Sequence, residues 1–286
     1  MENTNEKNAI VGGTLYLVAT PIGNMADLSE RALKVLSEVD FVAAEDTRNS
    51  GLMLSRLGLS KPMISYYEHN KAGRGETIAA RLEAGESCAL ITDAGTPAIS
   101  DPGEDIVRLC AERGIPVTSV PGCCAAVTAL TLSALCTRRF CFEGFLSTSA
   151  RERKDRLDSL ANETRTMIFY EAPHKLRGTL DDLCAAFGKD RKIALCRELT
   201  KLNEEVARTT IGEAVETYKT REPRGEYVLV VDGAPESADE YPEDIAEHVA
   251  MLEAAGLSRM DAIKSAAKAR GVKKNDIYAA VAKKEE

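Results

Sequence analysis

Charged side chains follow three predicted strands of the chain. The segment AEDTR (44–48) ends one apolar run, FYEAPH (169–174) ends a second, and RELTK (197–201) ends a third. Each group alone could be a helix cap or a surface ion pair. Because ligands bind at the strand ends of open α/β sheets, the three groups together indicate a single crevice with proton-transfer and charge-binding side chains.

Three loops rich in Gly, Pro and other small residues also follow predicted strands. They read TPIGN (20–24), TDAGTPAISDPG (92–103) and PGCCAA (121–126). Small residues let the backbone approach a ligand closely, although the first and third loops could equally be ordinary strand-to-helix turns. The middle loop has twelve residues with two Gly, two Pro and two Asp, which is more than a connection needs, and this predicts a binding role.

Motifs of several other enzyme classes are absent from the sequence. The chain contains no GxxxxGK[ST], GxGxxG, GxSxG or HExxH, and its three histidines have no ligand-like spacing. These absences argue against nucleotide hydrolysis, dinucleotide-dependent redox chemistry and zinc hydrolysis.

The elements that must position these residues follow an α/β pattern. Apolar runs alternate with amphipathic segments and Gly/Pro punctuation, which predicts a largely parallel sheet before residue 136. The predicted strands of this part are Leu15–Ala19, Phe41–Ala44, Met63–Tyr66, Ser87–Thr92 and Val117–Val120. The predicted helices are Ser29–Val39, Arg48–Leu57, Gly75–Glu83 and Glu104–Arg113.

A second set of elements follows, with strands that lie closer together in sequence. Short connections favour hairpins, so we expect a mixed sheet. The predicted strands are Phe140–Phe145, Thr166–Tyr170, Lys192–Arg197, Ala207–Ile211 and Tyr227–Val231. The predicted helices are Lys154–Leu160 and Lys175–Phe187, preceded by an apolar helix, Val127–Leu135, that could serve as a core element or an interface.

Four regions are predicted along the chain. They are an α/β domain (1–122), a second α/β domain that completes the cleft (123–233), a polar linker (234–242) and a helical tail (243–286). The tail is predicted to hold three short helices, Glu243–Ala255, Arg259–Arg270 and Asn275–Lys283, with Ser258 as an N-cap and Gly271 as a stop. Two short helices joined by a Gly turn resemble a helix-turn-helix unit.

The amino-acid composition indicates which cellular compartment the protein suits. The 286 residues are 44% hydrophobic, which is enough for a sizeable core. Eight cysteines without a CxxC pair, and no N-terminal secretory signal, favour a reducing cytoplasm. The most apolar stretch, 117–136, is broken by Pro121-Gly122, so no membrane segment is expected.

The charge is unevenly distributed. The net charge is −8, yet residues 256–284 carry eight Lys or Arg against two Asp. The net charge of this segment is therefore +6, and that of the rest of the chain is −14. This difference predicts that a polyanion docks at the segment. The alternative is a charged helical cap without a nucleic-acid role.

Read in order, TPIGN, AEDTR, DAGTPAISDPG, PGCCAA, FEGFL, FYEAPHK, RELTK and RGEYVLVV resemble the rRNA small-subunit methyltransferase I family, a branch of the tetrapyrrole methylases. The likeness runs from about residue 14 to 233, and Gly-Val-Lys-Lys-Asn (271–275) looks like that family's C-terminal domain. It implies the two-domain tetrapyrrole-methylase fold, which is a class III S-adenosylmethionine (SAM) methyltransferase fold, plus a small helical C-terminal domain.

The resemblance also implies an activity and partners. These are a homodimer, SAM bound in the cleft, and methyl transfer to the ribose 2′-oxygen of a cytidine in the decoding region of 16S rRNA, within the small ribosomal subunit. The resemblance implies no metal. The residues expected to meet the cofactor are Pro21, Gly23, Asp93, Ala94, Gly95, Thr96, Pro97, Pro121, Gly122, Ala125, Tyr170 and Glu171.

A ribose hydroxyl is a poor nucleophile, so a base must accept its proton. A lysine with a lowered pKa or a carboxylate can do so, and the candidates in order are Lys201, Glu45 and Asp46. Arg48 and Arg197 are expected to hold phosphates. The tail residues expected to contact RNA are Arg259, Lys264, Lys268, Arg270, Lys273 and Lys274.

Two other functions stay open. A tetrapyrrole or other small-molecule methyltransferase would share the SAM loops but would not need a basic tail. A non-catalytic RNA-binding assembly factor could keep the fold without binding SAM.

Overall fold

Strands buried on both faces are apolar throughout, and four-residue runs such as LYLV and CALI form the middle of the first sheet. The computed structural model describes residues 9–235 and 242–282. Within them lie two compact units, the first ending at Asp232 and the second beginning at Gly233. The predicted domain boundary after residue 122 is not tested by this division and stays a prediction.

The first sheet has five parallel strands in the order β3-β2-β4-β1-β5. Leu15 of the interior strand β1 lies opposite Cys88 of β4 and Val117 of β5. The strands are β1 (Leu15–Val18), β2 (Phe41–Ala44), β3 (Met63–Ser65), β4 (Cys88–Ile91) and β5 (Val117–Val120). The helices are α1 (Glu30–Glu38), α2 (Thr47–Arg56), α3 (Lys71–Glu83) and α4 (Glu104–Glu112).

Helices cover both faces of this sheet. On one face Phe41 and Leu90 pack with Ile78 of α3 and Ile106 of α4. On the other face Val42 and Ile91 pack with Leu36 of α1 and Leu54 of α2. The side chains on both faces are therefore committed to packing, and the free ends of the strands are left to carry the polar loops.

The second sheet is mixed, as predicted, with the order β6-β7-β10-β8-β9. Strand β6 is parallel to β7, and the other pairs are antiparallel. The strands are β6 (Phe140–Phe145), β7 (Thr166–Glu171), β8 (Lys192–Arg197), β9 (Glu205–Thr210) and β10 (Tyr227–Val231). The helices are α5 (Ala125–Leu132), α6 (Ala150–Ser159), α7 (Leu176–Phe187) and α8 (Ile211–Thr220).

Two predictions for this sheet are wrong. The strand predicted over 207–211 ends at Thr210, because that residue forms a capping box with Glu213 and begins α8, a helix that the sequence analysis missed. The apolar helix predicted to reach Leu135 ends at Leu132, and Ala134 has a left-handed φ of 61°. Ala126, Ala129 and Leu130 of α5 are core residues, whereas Val127 is 50% exposed.

The second unit contains α9 (Ile245–Ala254), α10 (Arg259–Arg270) and α11 (Lys274–Ala282). The predicted caps are confirmed: the Ser258 hydroxyl accepts a hydrogen bond from the Asp261 amide, and Gly271 is left-handed at φ 64°. Ile263 and Ile277 lie in the small core of the unit. Lys283 and most of the predicted linker, residues 236–241, lie outside the described residues.

All eight cysteines are free thiols, of which Cys136 is exposed. Among the described residues, no helix has both the length and the apolar character needed to cross a bilayer.

Candidate active site

The three small-residue loops are joined to one another and to the second sheet. Thr20 and Gly95 exchange two backbone hydrogen bonds, of 2.9 and 3.0 Å. The Thr96 hydroxyl donates to the Cys123 carbonyl at 2.9 Å, and the Ala126 amide donates to the Tyr170 hydroxyl at 3.1 Å. The loops that the sequence separates by about a hundred residues therefore form one continuous rim.

Glycine is required at two positions of this rim because of close approach. A Cβ on Gly23 would come within 2.4 Å of the Lys201 side chain, and a Cβ on Gly122 within 3.0 Å of Ala19. Both glycines therefore let chain segments pack against each other. Neither lines the cavity described next.

The rim surrounds a cavity of about 490 Å³ within the first unit. The ends of β1, β2 and β4 reach it from the first sheet. On the second sheet Tyr227, the first residue of β10, lies opposite Glu171 of β7 and Arg197 of β8, so that these strand ends reach the cavity together. The lining residues are Ile22, Glu45, Asp93, Ala94, Gly95, Thr96, Ile99, Ser100, Asp101, Cys124, Ala125, Phe145, Tyr170, Glu171, Ala172, Pro173, Cys196, Glu198, Leu199, Lys201, Glu226, Tyr227 and Val228.

Most of the predicted cofactor residues line this cavity, namely Asp93, Ala94, Gly95, Thr96, Ala125, Tyr170 and Glu171. The others, Pro21, Gly23, Pro97, Pro121 and Gly122, lie in the same loops but behind the lining. Glu171 is buried and accepts hydrogen bonds from the Thr179 hydroxyl and the Ala172 amide. Its carboxylate is therefore satisfied by its own strand end and by α7.

The first-sheet wall carries three carboxylates, Glu45, Asp93 and Asp101. Burial and then the neighbouring charge of Asp93 raise the pKa of Glu45. Burial and then the charge of Glu45 raise the pKa of Asp101 to about 6. Asn49 donates a hydrogen bond to Asp93 at 2.9 Å. Raised carboxyl pKa values in a cleft are typical of proton-transfer sites.

The second-sheet wall has its charges paired. The Lys201 ammonium lies 3.0 Å from a Glu198 oxygen and 2.8 Å from a Glu226 oxygen. Burial lowers the pKa of Lys201, but the hydrogen bonds to Glu226 and Glu198 outweigh it and raise that pKa above its usual value. The pKa of Lys201 is therefore raised, whereas its predicted role as a base requires a lowered one.

Asp46 and Arg48 pair with each other instead of serving the cavity. The Asp46 side chain caps α2 by accepting from the Arg48 amide at 2.8 Å, and the Arg48 guanidinium lies 2.7 Å from its carboxylate. The hydrogen bond from the Arg48 side chain lowers the pKa of Asp46 to about 2. Asp46 is thus too weak a base, and the prediction that it accepts a proton is not supported.

Arg197, the other predicted phosphate contact, lies outside the main cavity. Its guanidinium lies 3.1 Å from Glu205, and it lines a separate space of about 450 Å³. This placement does not test whether Arg197 holds a phosphate, which stays a prediction.

The predicted RNA contacts of the second unit fall into two groups. Arg270 donates to the carbonyls of Glu243 and Asp244 and to His248 Nδ1, so its guanidinium holds the start of α9 instead of being available to RNA. Lys264 pairs with Asp261 at 2.9 Å. The remaining cations are exposed, namely Arg259, Lys268, Lys273 and Lys274.

Backbone strain is concentrated at the cavity. Among the described residues, five non-glycine residues have a positive φ. Four of them lie in two loops next to the cavity, Ala98 and Ser100 in the loop 92–103 and Glu198 and Thr200 in the segment 197–201. The hydroxyl of Thr200 is also buried without a hydrogen-bond partner. Strained residues and unsatisfied buried polar atoms cost stability and are characteristic of functional sites.

Sequence reasoning missed several lining residues, of which Asp101 is the most important. Its signal was present, since it lies between Ser100 and Pro102 in the loop predicted to bind a ligand. Asp101 is eight residues from Asp93, and the sequence does not show that the loop brings both side chains to the same cavity. Phe145, Glu198 and Glu226 were missed because they reach the cavity through strand pairing that a single sequence does not specify.

Solved structures share this fold. A uroporphyrin-III C-methyltransferase from Thermus thermophilus aligns with a TM-score of 0.56 and 21% identity, covering 77% of this chain and 94% of that one. A diphthine synthase aligns with a TM-score of 0.59 and 14% identity, covering 77% and 89%. The model of the family described as Tetrapyrrole (Corrin/Porphyrin) Methylases matches residues 14–215.

Curated relatives narrow the class further. Proteins named ribosomal RNA small subunit methyltransferase I are 45% identical in Synechocystis and 44% identical in Escherichia coli O157:H7, each over 268 residues and 93% of this chain, covering 96% and 93% of those proteins. The Bacillus subtilis protein of the same name is 42% identical and covers 93% of both chains. This chain therefore belongs to the tetrapyrrole methylase family and, within it, to the ribosomal RNA small subunit methyltransferase I group, which confirms the resemblance seen in its motifs.

Proposed function

We propose that this methyltransferase transfers the methyl group of SAM to the ribose 2′-oxygen of a cytidine in the decoding region of 16S rRNA, in the cytoplasm. The observation that carries the enzymatic part is the set of carboxylates Glu45, Asp93 and Asp101 on one wall of a cavity rimmed by small-residue loops. The substrate follows from relatives that are more than 40% identical over nearly the whole chain.

The cavity suits SAM in size and charge. About 490 Å³ lies within the range of roughly 300–1,000 Å³ that small-molecule sites occupy. SAM carries a sulfonium and an ammonium against one carboxylate, so a wall of carboxylates is complementary to its net positive charge. The Asp93–Thr96 backbone, which lines the cavity, offers polar atoms to a bound molecule.

When bound, SAM supplies a methyl group made electrophilic by its attachment to a sulfonium. The protein must then align the acceptor hydroxyl, exclude water and accept one proton. Asp101 is the proton acceptor in this proposal, since its pKa of about 6 leaves it ionised at neutral pH yet more basic than an ordinary aspartate. Glu45, whose charge contributes to that pKa, tunes it.

Lys201 has a different role from the one expected of it. As a cation between Glu198 and Glu226, it holds two loops of the second sheet together. Its side chain also packs against Gly23, and this contact connects the second sheet to the first loop. We assign it to shaping the cavity.

Docking of rRNA is assigned to the exposed cations of the second unit, Arg259, Lys268, Lys273 and Lys274. Exposed cations can release their counterions when they bind phosphates. We also propose a homodimer, for which the half-exposed Val127 of α5 is a candidate contact. The proton transfer requires no metal in this scheme.

The test is transfer of radiolabelled methyl from SAM to small ribosomal subunits that lack this modification, followed by nucleoside analysis. Label in 2′-O-methylcytidine is the expected result. SAM binding without label in subunits or free rRNA would favour a small-molecule acceptor, and absence of SAM binding would favour an assembly factor. A Lys273→Glu/Lys274→Glu variant should lose subunit methylation while its affinity for SAM is unchanged.

A further inference from the structure

A second cavity, rich in arginine, lies beside the active site. It has a volume of about 450 Å³ and is lined by Arg197, Asn203, Arg221, Glu222, Arg224 and Tyr227. Three guanidinium groups around one space of this size form an anion site, because arginine presents several N–H donors that match the oxygens of a phosphate. We name this space the arginine pocket.

Two of its arginines are held in place by a single carboxylate. Arg197 Nε lies 3.2 Å from Glu205 Oε2, and Arg221 Nη1 lies 2.7 Å from Glu205 Oε1. One negative charge thus orients two positive charges. Side chains that are already ordered lose less conformational entropy when they bind a ligand.

The arginine pocket keeps a surplus of positive charge. Its own acidic residue, Glu222, lies 3.0 Å from Arg177, a cation outside the lining. The third arginine, Arg224, is exposed, and no ion pair with a described carboxylate engages its guanidinium. This differs from the basic segment 151–156, where Arg151, Arg153, Lys154 and Arg156 each pair with an acidic side chain.

The arginine pocket and the active-site cavity share a wall. Tyr227 lines both spaces. Glu198 accepts hydrogen bonds from the Glu226 amide and the Lys201 ammonium, both at 3.0 Å, which fixes the loop that carries Arg224 against the loop that carries Asn203. The arginine pocket is therefore adjacent to the cavity that a reacting ribose would enter.

We propose that the arginine pocket binds a backbone phosphate of the RNA strand whose ribose enters the active site. The inference rests on the proposed function and deepens it, since it names where that substrate is held next to the reacting group. A phosphate contact carries no sequence information but fixes the register of the strand. Arg224 is the residue free to close on the phosphate, and Arg197 and Arg221 form the preformed base of the pocket.

The experiment compares Arg224→Glu with Arg151→Glu, since Arg151 is also an exposed surface arginine and its side chain is 92% exposed. Binding to unmethylated small ribosomal subunits is measured at several salt concentrations, and SAM affinity is measured by calorimetry. Arg224→Glu should weaken subunit binding roughly 10-fold and reduce the slope of log affinity against log salt by about 1, with SAM affinity unchanged. Arg151→Glu should change binding less than about 2-fold.

Three results would overturn the inference. They are wild-type binding by Arg224→Glu, equal weakening by both variants, and a parallel loss of SAM affinity, which would make the pocket a support of the cavity instead of an RNA contact. Because binding is measured separately from methylation, failure of the wild-type protein to label 2′-O-methylcytidine would refute the proposed function without deciding the role of Arg224.

Discussion

The two walls of the active-site cavity differ in how their charges are compensated. On the first-sheet wall, Glu45 and Asp101 have raised pKa values, and each carboxylate makes its neighbour harder to ionise. On the second-sheet wall, Lys201 lies between Glu198 and Glu226, and Glu171 is satisfied by Thr179. The carboxylates of the first-sheet wall thus raise each other's pKa, whereas the charges of the second-sheet wall are paired or hydrogen-bonded. We call the first the strained wall and the second the paired wall.

This difference helps to separate chemistry from architecture. Buried charges are normally paired or hydrogen-bonded because desolvation is costly. A wall that remains uncompensated in the folded protein is therefore a place where a ligand supplies the missing charge. The charged residues of all three strand-end motifs looked equivalent in the sequence, but the folded protein gives them different tasks.

The largest effect is expected at Asp101. Asp101→Asn should reduce kcat/KM for methyl transfer by about 10²–10⁴-fold, because the amide cannot accept the proton. The matched control is Asp105→Asn, where the carboxylate pairs with Lys71 at 2.7 Å on α4. If the control loses as much activity as Asp101→Asn, the contrast between strained and paired carboxylates is wrong.

The same substitution should raise stability at neutral pH. Because the folded-state pKa of Asp101 is raised to about 6, its contribution to stability is fully present below the unfolded-state value near 3.8 and is lost as pH rises through about 6. Asp101→Asn should therefore raise the free energy of unfolding by about 1–3 kcal/mol at pH 7.5 and have little effect near pH 3.5. Denaturant unfolding at both pH values measures this.

A pH profile tests the strained wall without substitution. Wild-type kcat/KM should fall about tenfold per pH unit below pH 6, as Asp101 becomes protonated. In Glu45→Gln the midpoint should move to lower pH, because one of the charges that raise the pKa of Asp101 is gone. An unchanged midpoint would show that the charge of Glu45 does not raise the pKa of Asp101.

Neighbouring carboxylates on β2 and α2 give a sharper comparison. Glu45→Gln should lower activity by at least about tenfold with stability unchanged or higher, since partial burial and the charge of Asp93 raise the pKa of Glu45 and so disfavour its charged form in the folded protein. Asp46→Asn should change activity less than about twofold and lower the free energy of unfolding only slightly, because it loses a solvent-screened ion pair with Arg48 while an asparagine can still cap α2. The reverse pattern would contradict the assignment of the two residues.

The smallest effect concerns the paired wall. A Cβ on Gly225, where φ is +75°, would lie 2.5 Å from the Glu198 carboxylate. Gly58 has nearly the same φ, +73°, with open space around it. Gly58→Ala should cost about 1 kcal/mol for the left-handed backbone, and Gly225→Ala about 1–3 kcal/mol more for the clash. If both variants lose the same amount of stability in thermal unfolding, the Glu198 side chain moves aside without a loss of stability.

Local sequence signals predicted most of the fold, because apolar runs and caps such as Ser258 depend only on near neighbours. The helix α8 was missed because its start depends on a capping box inside what reads as a strand, from Thr210 to Glu213. The loops of the site were also predicted from their composition. The pKa shifts of Lys201, Asp46 and Asp101 were not predicted, since a pKa depends on which charges the folded chain brings together.

The strand order of the first sheet has a consequence for how the protein is made. The first strand synthesised, β1, lies in the interior of the sheet, and both its partners come more than seventy residues later. Pairings so distant in sequence form slowly, because the intervening chain must lose its freedom before any contact compensates. On the ribosome, the first sheet therefore cannot be completed until β5, which ends at Val120, has emerged, and the cavity wall that carries Glu45, Asp93 and Asp101 is assembled only then.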